Sequence, residues 1–234
     1  MSEIENLITN YQPTESTVQL VRDTKIALLA GISGAGKDTI KKRLLKLPEF
    51  RDIVSHTTRP PRINNGSIEQ DGIDYHFINQ KIAEEMLQNN EFIEAKFVHG
   101  TVYGTSVAEL KLAHDQNRVA ITDVQGVEEY ERLAPESIAI FIVPPDYQTW
   151  IERLKKRYGT EEDFRTEWPK RRQSAISELT YALEVPYYHV IINDDLDRAV
   201  RVTEEIILRG DIFKRQDDEA RLTARGLLND IIKI

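Results

Sequence analysis

Residues 25–47 constrain the fold more tightly than any other stretch. "KIALLAG" (25–31) is an apolar run suited to a buried strand, and "GISGAGK" (31–37) turns it with three glycines. Residues 38–47 then place Ile40, Leu44, Leu45 and Leu47 on one side of a helix, with lysines and Arg43 elsewhere. Strand, glycine loop and helix in this order form an anion nest, in which successive backbone N–H groups face inward and the helix adds the positive end of its dipole. Gly31, Ser33, Gly34, Ala35 and Gly36 supply the loop, and Lys37 is spaced to reach the β- and γ-phosphates of a nucleotide. The next position normally carries a hydroxyl that ligands Mg²⁺; here it is Asp38, with Thr39 one step later. A carboxylate ligands Mg²⁺ directly or through water, so the site is expected to be unusually metal-dependent.

Further apolar runs, "RVAITDV" (118–124), "IAIFIV" (138–143) and "HVIIND" (189–194), alternate with helical stretches at 145–157 and 196–209. That alternation predicts an α/β fold with a parallel sheet flanked by helices. Residues 50–106 are richer in turns and short strand-like pieces and read as an insertion over the sheet's edge. Residues 1–23 and 210–234 flank the core: a short helix ending before Pro13, and a helix with Leu222, Leu227, Leu228, Ile231 and Ile232 at helical spacing. The apolar face of that last helix must bury against the core or against a second copy, so a homodimer through the terminal extensions is one expectation.

The 234 residues contain no cysteine, which excludes disulfides and thiolate chemistry, and the five histidines show no metal-binding spacing. No apolar run reaches the ~20 residues needed to span a bilayer, and the acidic N-terminus resembles neither a secretory nor a transit sequence. A cytoplasmic location without membrane contact is the default. A net charge of −8 argues against nucleic acid as a partner. Basic residues nevertheless cluster at 37–43, 57–62, 153–157 and 170–172, which suits small anionic ligands.

"SHTTRPPR" (55–62), "DGIDYHF" (71–77), "FIEAKFVHGTVYGTS" (92–106), "DVQGV" (123–127) and "VIINDDLD" (190–197), taken in this order, resemble the guanylate kinase family of P-loop nucleoside monophosphate kinases. The resemblance covers about residues 24–209. It implies a P-loop core, a small β-rich GMP-binding insertion at about 50–106, and a helical lid at about 153–175. It implies transfer of the γ-phosphoryl of Mg·ATP to GMP or dGMP.

Arg59 and Arg62, in a proline-stiffened loop, suit a phosphate monoester, and the resemblance gives Tyr75 and Tyr103 the task of completing that cage. Glu94 matches the carboxylate that accepts from guanine N1–H and its amine; Ser55 and Thr105 match hydroxyls at the other edge of the base. Asp123 matches an acid near both metal and acceptor. Asn193 matches a residue near the donor's adenine. Arg157 and Arg171 match the arginines that open and close the lid, clamping the phosphates.

The chain departs from the family at four places. Asp38 replaces Ser or Gly, and Ile121 replaces the first acid of a D-x-D pair, so Asp38 is a candidate to restore the lost charge at the metal, together with Asp123. The loop between Arg62 and Gly72 is longer by about four residues. The lid between Arg157 and Arg171 is longer by about three and is expected to be interrupted by Trp168-Pro169, which leaves Arg165 and Arg172 as alternatives to Arg171. Two other readings follow: a kinase with a sugar-phosphate acceptor, as in ribose bisphosphate kinases, which also carry Asp after the lysine, and a non-catalytic module binding phosphopeptides in the acceptor cleft. Intact Gly31, Gly36 and Lys37 argue against the second, and Glu94, Tyr103 and Thr105 against the first.

Overall fold

The structure, a computed structural model, describes residues 3–64, 67–98, 100–112, 116–158, 160–210 and 214–233. Helices α1 (Glu3–Asn10) and α2 (Glu15–Asp23) precede strand β1 (Ile26–Ala30), which leads through the glycine loop into α3 (Lys37–Leu44). Strand β2 (Phe50–Asp52) follows. Then come the short strands β3 (His56–Thr57), β4 (Ile63–Asn64), β5 (Ser67–Ile68) and β6 (His76–Phe77), helix α4 (Gln80–Gln88), and the hairpin β7 (Phe92–Val98) and β8 (Thr101–Ser106). The chain continues as α5 (Val107–Lys111), β9 (Asn117–Ile121), α6 (Val124–Leu133), β10 (Ile138–Val143), α7 (Tyr147–Arg157), α8 (Glu161–Glu184), β11 (Tyr188–Ile192), α9 (Leu196–Arg209) and α10 (Lys214–Ile232).

Five strands form a parallel sheet in the order β11-β10-β1-β9-β2. All five residues of β1 are buried, as are the last five of β10, because helices cover both faces and no side of these strands meets water. Residues just past the C-terminal ends of β1, β9 and β11 therefore gather at one rim, where open α/β sheets place their ligands. A second sheet, β6-β3-β8-β7, stands apart from the first and packs its apolar face on α4 and α1 through Ile4, Ala83, Leu87, Phe92 and Val102.

Several expectations change. The insertion begins after residue 52, because β2 pairs in parallel register with β9 and completes the main sheet. The strand expected over 118–124 stops at Ile121, and Asp123 instead caps α6, its carboxylate accepting from Gly126 N at 2.8 Å. Trp168-Pro169 does not interrupt the lid: α8 runs through Pro169, which forfeits one backbone donor there. The flanks belong to the cores, Val21 to the main one and Ile4 to the second.

In α10 the buried stripe is Ala220, Ala224, Leu227 and Ile231, covered by α8 and β11 of the same chain, while Leu222 and Ile232 face solvent. No second copy is needed to cover it. The 210–234 extension includes residues 211–213 and 234, which lie outside the described residues. Among the described residues no helix is long and apolar enough to cross a membrane.

Candidate active site

Backbone geometry explains the glycines of the loop. Gly31 has φ 138°, and a Cβ there would meet the Ile142 carbonyl oxygen at 2.2 Å; Gly36 has φ 97°, and a Cβ would meet Asn193 Nδ2 at 2.2 Å. The loop is held from outside by three side chains. Asn193 Nδ2 donates to the Ala35 carbonyl at 2.7 Å, Trp150 Nε1 donates to the Ser33 carbonyl at 2.7 Å, and Arg157 Nη1 donates to Ser33 Oγ at 3.2 Å. Asn193, expected beside the donor base, thus commits its amide to the loop itself.

Lys37 is the first residue of α3, and its ammonium folds back on the carbonyls of Gly31 and Ile32, the latter at 3.3 Å. Burial lowers its pKa, an effect opposed by the charges of Glu178 and then Asp38. Asp38 and Thr39 stand exposed on the first turn of the helix.

Strand register brings the acceptor residues together. Glu94 is paired opposite Thr105, Lys96 opposite Tyr103, and Tyr103 opposite Thr57, while Thr57 is paired with Phe77. Side chains alternate along a strand, so Glu94, Lys96, Tyr103, Thr105, Thr57 and Phe77 share one face. Ser55 and Tyr75 sit two residues before Thr57 and Phe77 and extend this face. Gly104 belongs to the opposite, apolar face, where a Cβ would meet the Phe92 ring at 2.9 Å as well as the Glu94 carbonyl oxygen at 2.8 Å. Burial pushes the Glu94 carboxyl up to about 7, against the opposing effects of the Thr105 hydrogen bond and the Lys96 charge.

Arg59 lies under the same face with a bidentate partner, its Nη1 2.6 Å from Glu69 Oε2 and its Nη2 2.9 Å from Oε1. Its guanidinium also sits 4.9 Å from the centre of the Tyr75 ring, and the Tyr75 and Tyr103 rings are 6.1 Å apart. Glu69 also accepts from the backbone N–H of Arg62, whose side chain is exposed. The hydrogen bonds it donates to Glu69 raise the Arg59 pKa, so this guanidinium is a fixed charge.

The two walls meet at Lys96 and Asp123, whose Nζ and Oδ2 are 2.6 Å apart. Behind them a cavity of about 450 Å³ opens between α1, β7 and α6, lined in part by Tyr11, Glu94, Lys96, Glu129 and Arg132.

On the lid side, Arg171 Nε donates to the Tyr158 hydroxyl at 2.8 Å and its charge reaches Lys37. The alternatives point elsewhere: Arg165 pairs with Glu161 at 3.7 Å on the exposed side, and Arg172 bonds the last carbonyls of α10.

Four residues of the site escaped the sequence reading as site residues. Glu69 and Lys96 act through cross-strand or cross-cleft partners. Trp150 is visible only once α7 is docked on the loop. Glu178 projects from α8, takes a hydrogen bond from Ser174 at 2.6 Å, and interacts with the charges of Lys37, Asp123 and Arg171. Burial raises its pKa. It supplies a carboxylate in the region where Ile121 removed one.

Among the described residues no three acidic or histidine side chains form a ready metal cage. Scattered hard oxygen donors, Asp38, Asp123 and Glu178, fit Mg²⁺, which keeps waters and takes most of its remaining ligands from nucleotide phosphates.

The family model described as "Guanylate kinase" matches residues 23–209. A curated guanylate kinase of Syntrophotalea carbinolica is 33% identical over 190 residues, covering 80% of this chain and 86% of that protein. One from Caldanaerobacter subterraneus is 38% identical over 186 residues, covering 78% and 86%. Among solved structures, guanylate kinase from Anaplasma phagocytophilum superposes with a TM-score of 0.60 at 23% identity, covering 82% of this chain and 89% of the other, and so shares its fold.

Proposed function

The chain belongs to the guanylate kinase family and phosphorylates GMP with ATP, and we propose that the glycine loop, the lid and one face of the four-stranded sheet divide that work. The observation that carries this division is the register of β3, β6, β7 and β8. It sets Ser55, Tyr75, Glu94, Tyr103 and Thr105 on a single face opposite Asp123.

In this reading the acceptor's phosphate is held by Arg59, Arg62, Tyr75 and Tyr103. Glu69 keeps the Arg59 fork in one orientation, which lowers the ordering cost of binding. The guanine edge is read by Glu94 as a bidentate acceptor, with Ser55 and Thr105 at its other side. Adenine offers an acceptor at N1 and would set a lone pair against the half-buried Glu94 carboxylate, so it is rejected. These contacts read base and phosphate rather than the sugar, so dGMP serves as well as GMP.

The donor's phosphates are held by the backbone of residues 31–36, by Lys37 and by Thr39, with Asn193 and Trp150 fixing the loop. Asp38 and Asp123, with Glu178 nearby, would hold Mg²⁺ together with ATP, and the ion would supply charge neutralisation at the donor phosphates. Phosphoryl transfer needs positioning and positive charge more than covalent help, and Lys37, Arg157 and Arg171 supply that charge as the lid excludes water.

A sugar-phosphate acceptor would leave half-buried Glu94 and its partner Thr105 without a function. The test offers purified protein Mg·ATP with GMP, AMP, ribose bisphosphate or no acceptor and follows ADP release. Release that depends on GMP is expected. Release only with the sugar phosphate, or with none of them, rejects the assignment.

A further inference from the structure

Helix α10 lies beyond residue 209, where the family match ends, yet it is bonded into the lid. Two arginines fasten it. Arg221 Nη2 donates to the Tyr188 carbonyl at 2.9 Å, tying α10 to β11 of the main sheet. Arg172 Nε donates to the Ile231 carbonyl and its Nη2 to the Ile232 carbonyl, each at 3.1 Å. Carbonyls in the last turn of a helix have no partner within it and carry the negative end of its dipole, so a guanidinium fork matches them in charge and shape. Ala220 and Ala224 on the buried stripe let α10 approach α8 closely.

We propose that α10 is a brace for the lid helix and that Arg172 is the positioning residue through which it aims Arg171; this rests on Arg171 acting on the transferred phosphoryl. Consecutive helical residues point about 100° apart. With Arg172 clasped to α10, the rotation of α8 about its own axis is fixed, and Arg171 is turned to Tyr158 and the Lys37 side. One turn before Arg172 and on the same face of α8, Trp168 packs against Trp150 of α7, their ring centres 5.6 Å apart. The helix is thus held along one face by α7 and α10, and Arg171, beside that face, is pre-aimed. α10 is therefore part of the catalytic apparatus although it touches neither substrate.

The test is a double-mutant cycle in the full chain, read by steady-state kinetics. Arg172→Gln should lower kcat about tenfold with the KM for GMP unchanged, the pattern of a misaimed transition-state contact. Arg172→Lys should behave like Arg172→Gln, because one ammonium does not reproduce the fork, and it carries the test should the Gln variant fail to fold. Arg171→Ala should lose more activity, and Arg171→Ala combined with Arg172→Gln should be no slower than Arg171→Ala alone.

Additive losses, full activity of the Arg172→Gln variant, or full rescue by Lys each overturn the brace while leaving the functional reading intact. Full activity of the Arg171→Ala variant overturns both the lid assignment and the brace. Amide exchange gives a readout independent of substrate. Residues 161–171 should exchange faster in the Arg172→Gln variant while β1 stays protected, and equal protection of 161–171 overturns the proposal.

Discussion

Lys96 on β7 and Asp123 at the head of α6 form a 2.6 Å ion pair that joins the two sheets across the acceptor cleft. Asp123 is half-exposed, so the pair is screened by salt and contributes modestly, about 0.2–1 kcal/mol. An acceptor that engages Asp123 must displace the ammonium. Lys96→Met is expected to lower the KM for GMP by about two- to fivefold at low ionic strength, with the difference vanishing at high salt. Initial rates over a salt series decide it, and a KM that rises at every salt concentration rejects the displacement.

Glu94 makes the site pH-sensitive. Its carboxyl, pushed up to about 7 by burial, accepts from guanine only when ionised. The KM for GMP should therefore climb as pH falls below about 7, approaching tenfold per pH unit, while the KM for ATP stays level. Glu94→Gln should raise the KM for GMP by on the order of 100-fold and flatten the profile. Stability has the opposite sign. The folded pKa lies above the unfolded one, so the native state holds the extra proton, and the contribution of Glu94 is lost as pH rises from about 4.5 through about 7. Urea midpoints of the free protein should show wild type losing ground to the Glu94→Gln variant over that interval.

Trp150 donates its indole N–H to the Ser33 carbonyl, a bond phenylalanine cannot make. Trp150→Phe is expected to weaken ATP binding about five- to tenfold, to leave GMP binding unchanged, and to cost about 1–2 kcal/mol of stability. Isothermal titration with each nucleotide separates the two effects, and equal losses for both would count against a local role at the loop.

Asp38 and the metal are linked through charge. Asp38→Ser restores the hydroxyl typical of phosphate loops and removes a carboxylate from the first turn of α3. Activity should drop more at low Mg²⁺ than at saturating Mg²⁺. A Mg²⁺ dependence identical to wild type would remove Asp38 from the metal's surroundings.

Much of this was legible in the sequence where the determinant is local. The loop from Gly31 to Lys37 is spelled out by glycines that its positive φ angles demand, and β1, β10 and β11 announce themselves as apolar runs. The two-residue strands β3 and β6 carry no such signal, since only their pairing with each other and with β8 makes them strands. Lys96 reads as an ordinary exposed lysine until register and docking bring it to Asp123. In α10 Leu227 and Ile231 read correctly but Leu222 misled, because Ala220 and Ala224 complete the buried stripe: close helix packing selects small residues that a search for large apolar ones passes over. Pro169 misled in the other direction, since the packing of Trp168 and Phe164 sustains a helix that local propensity would end.

Trp150 and Trp168 are the only tryptophans in the sequence, and they lie within 5.6 Å of each other, one hydrogen-bonded to the phosphate loop and the other on the lid helix. The chain is thereby born with an optical gauge at the seam between donor site and lid. Any relative movement of those two parts alters the indole–indole geometry, so ultraviolet emission of the unlabelled protein follows opening and closing in real time.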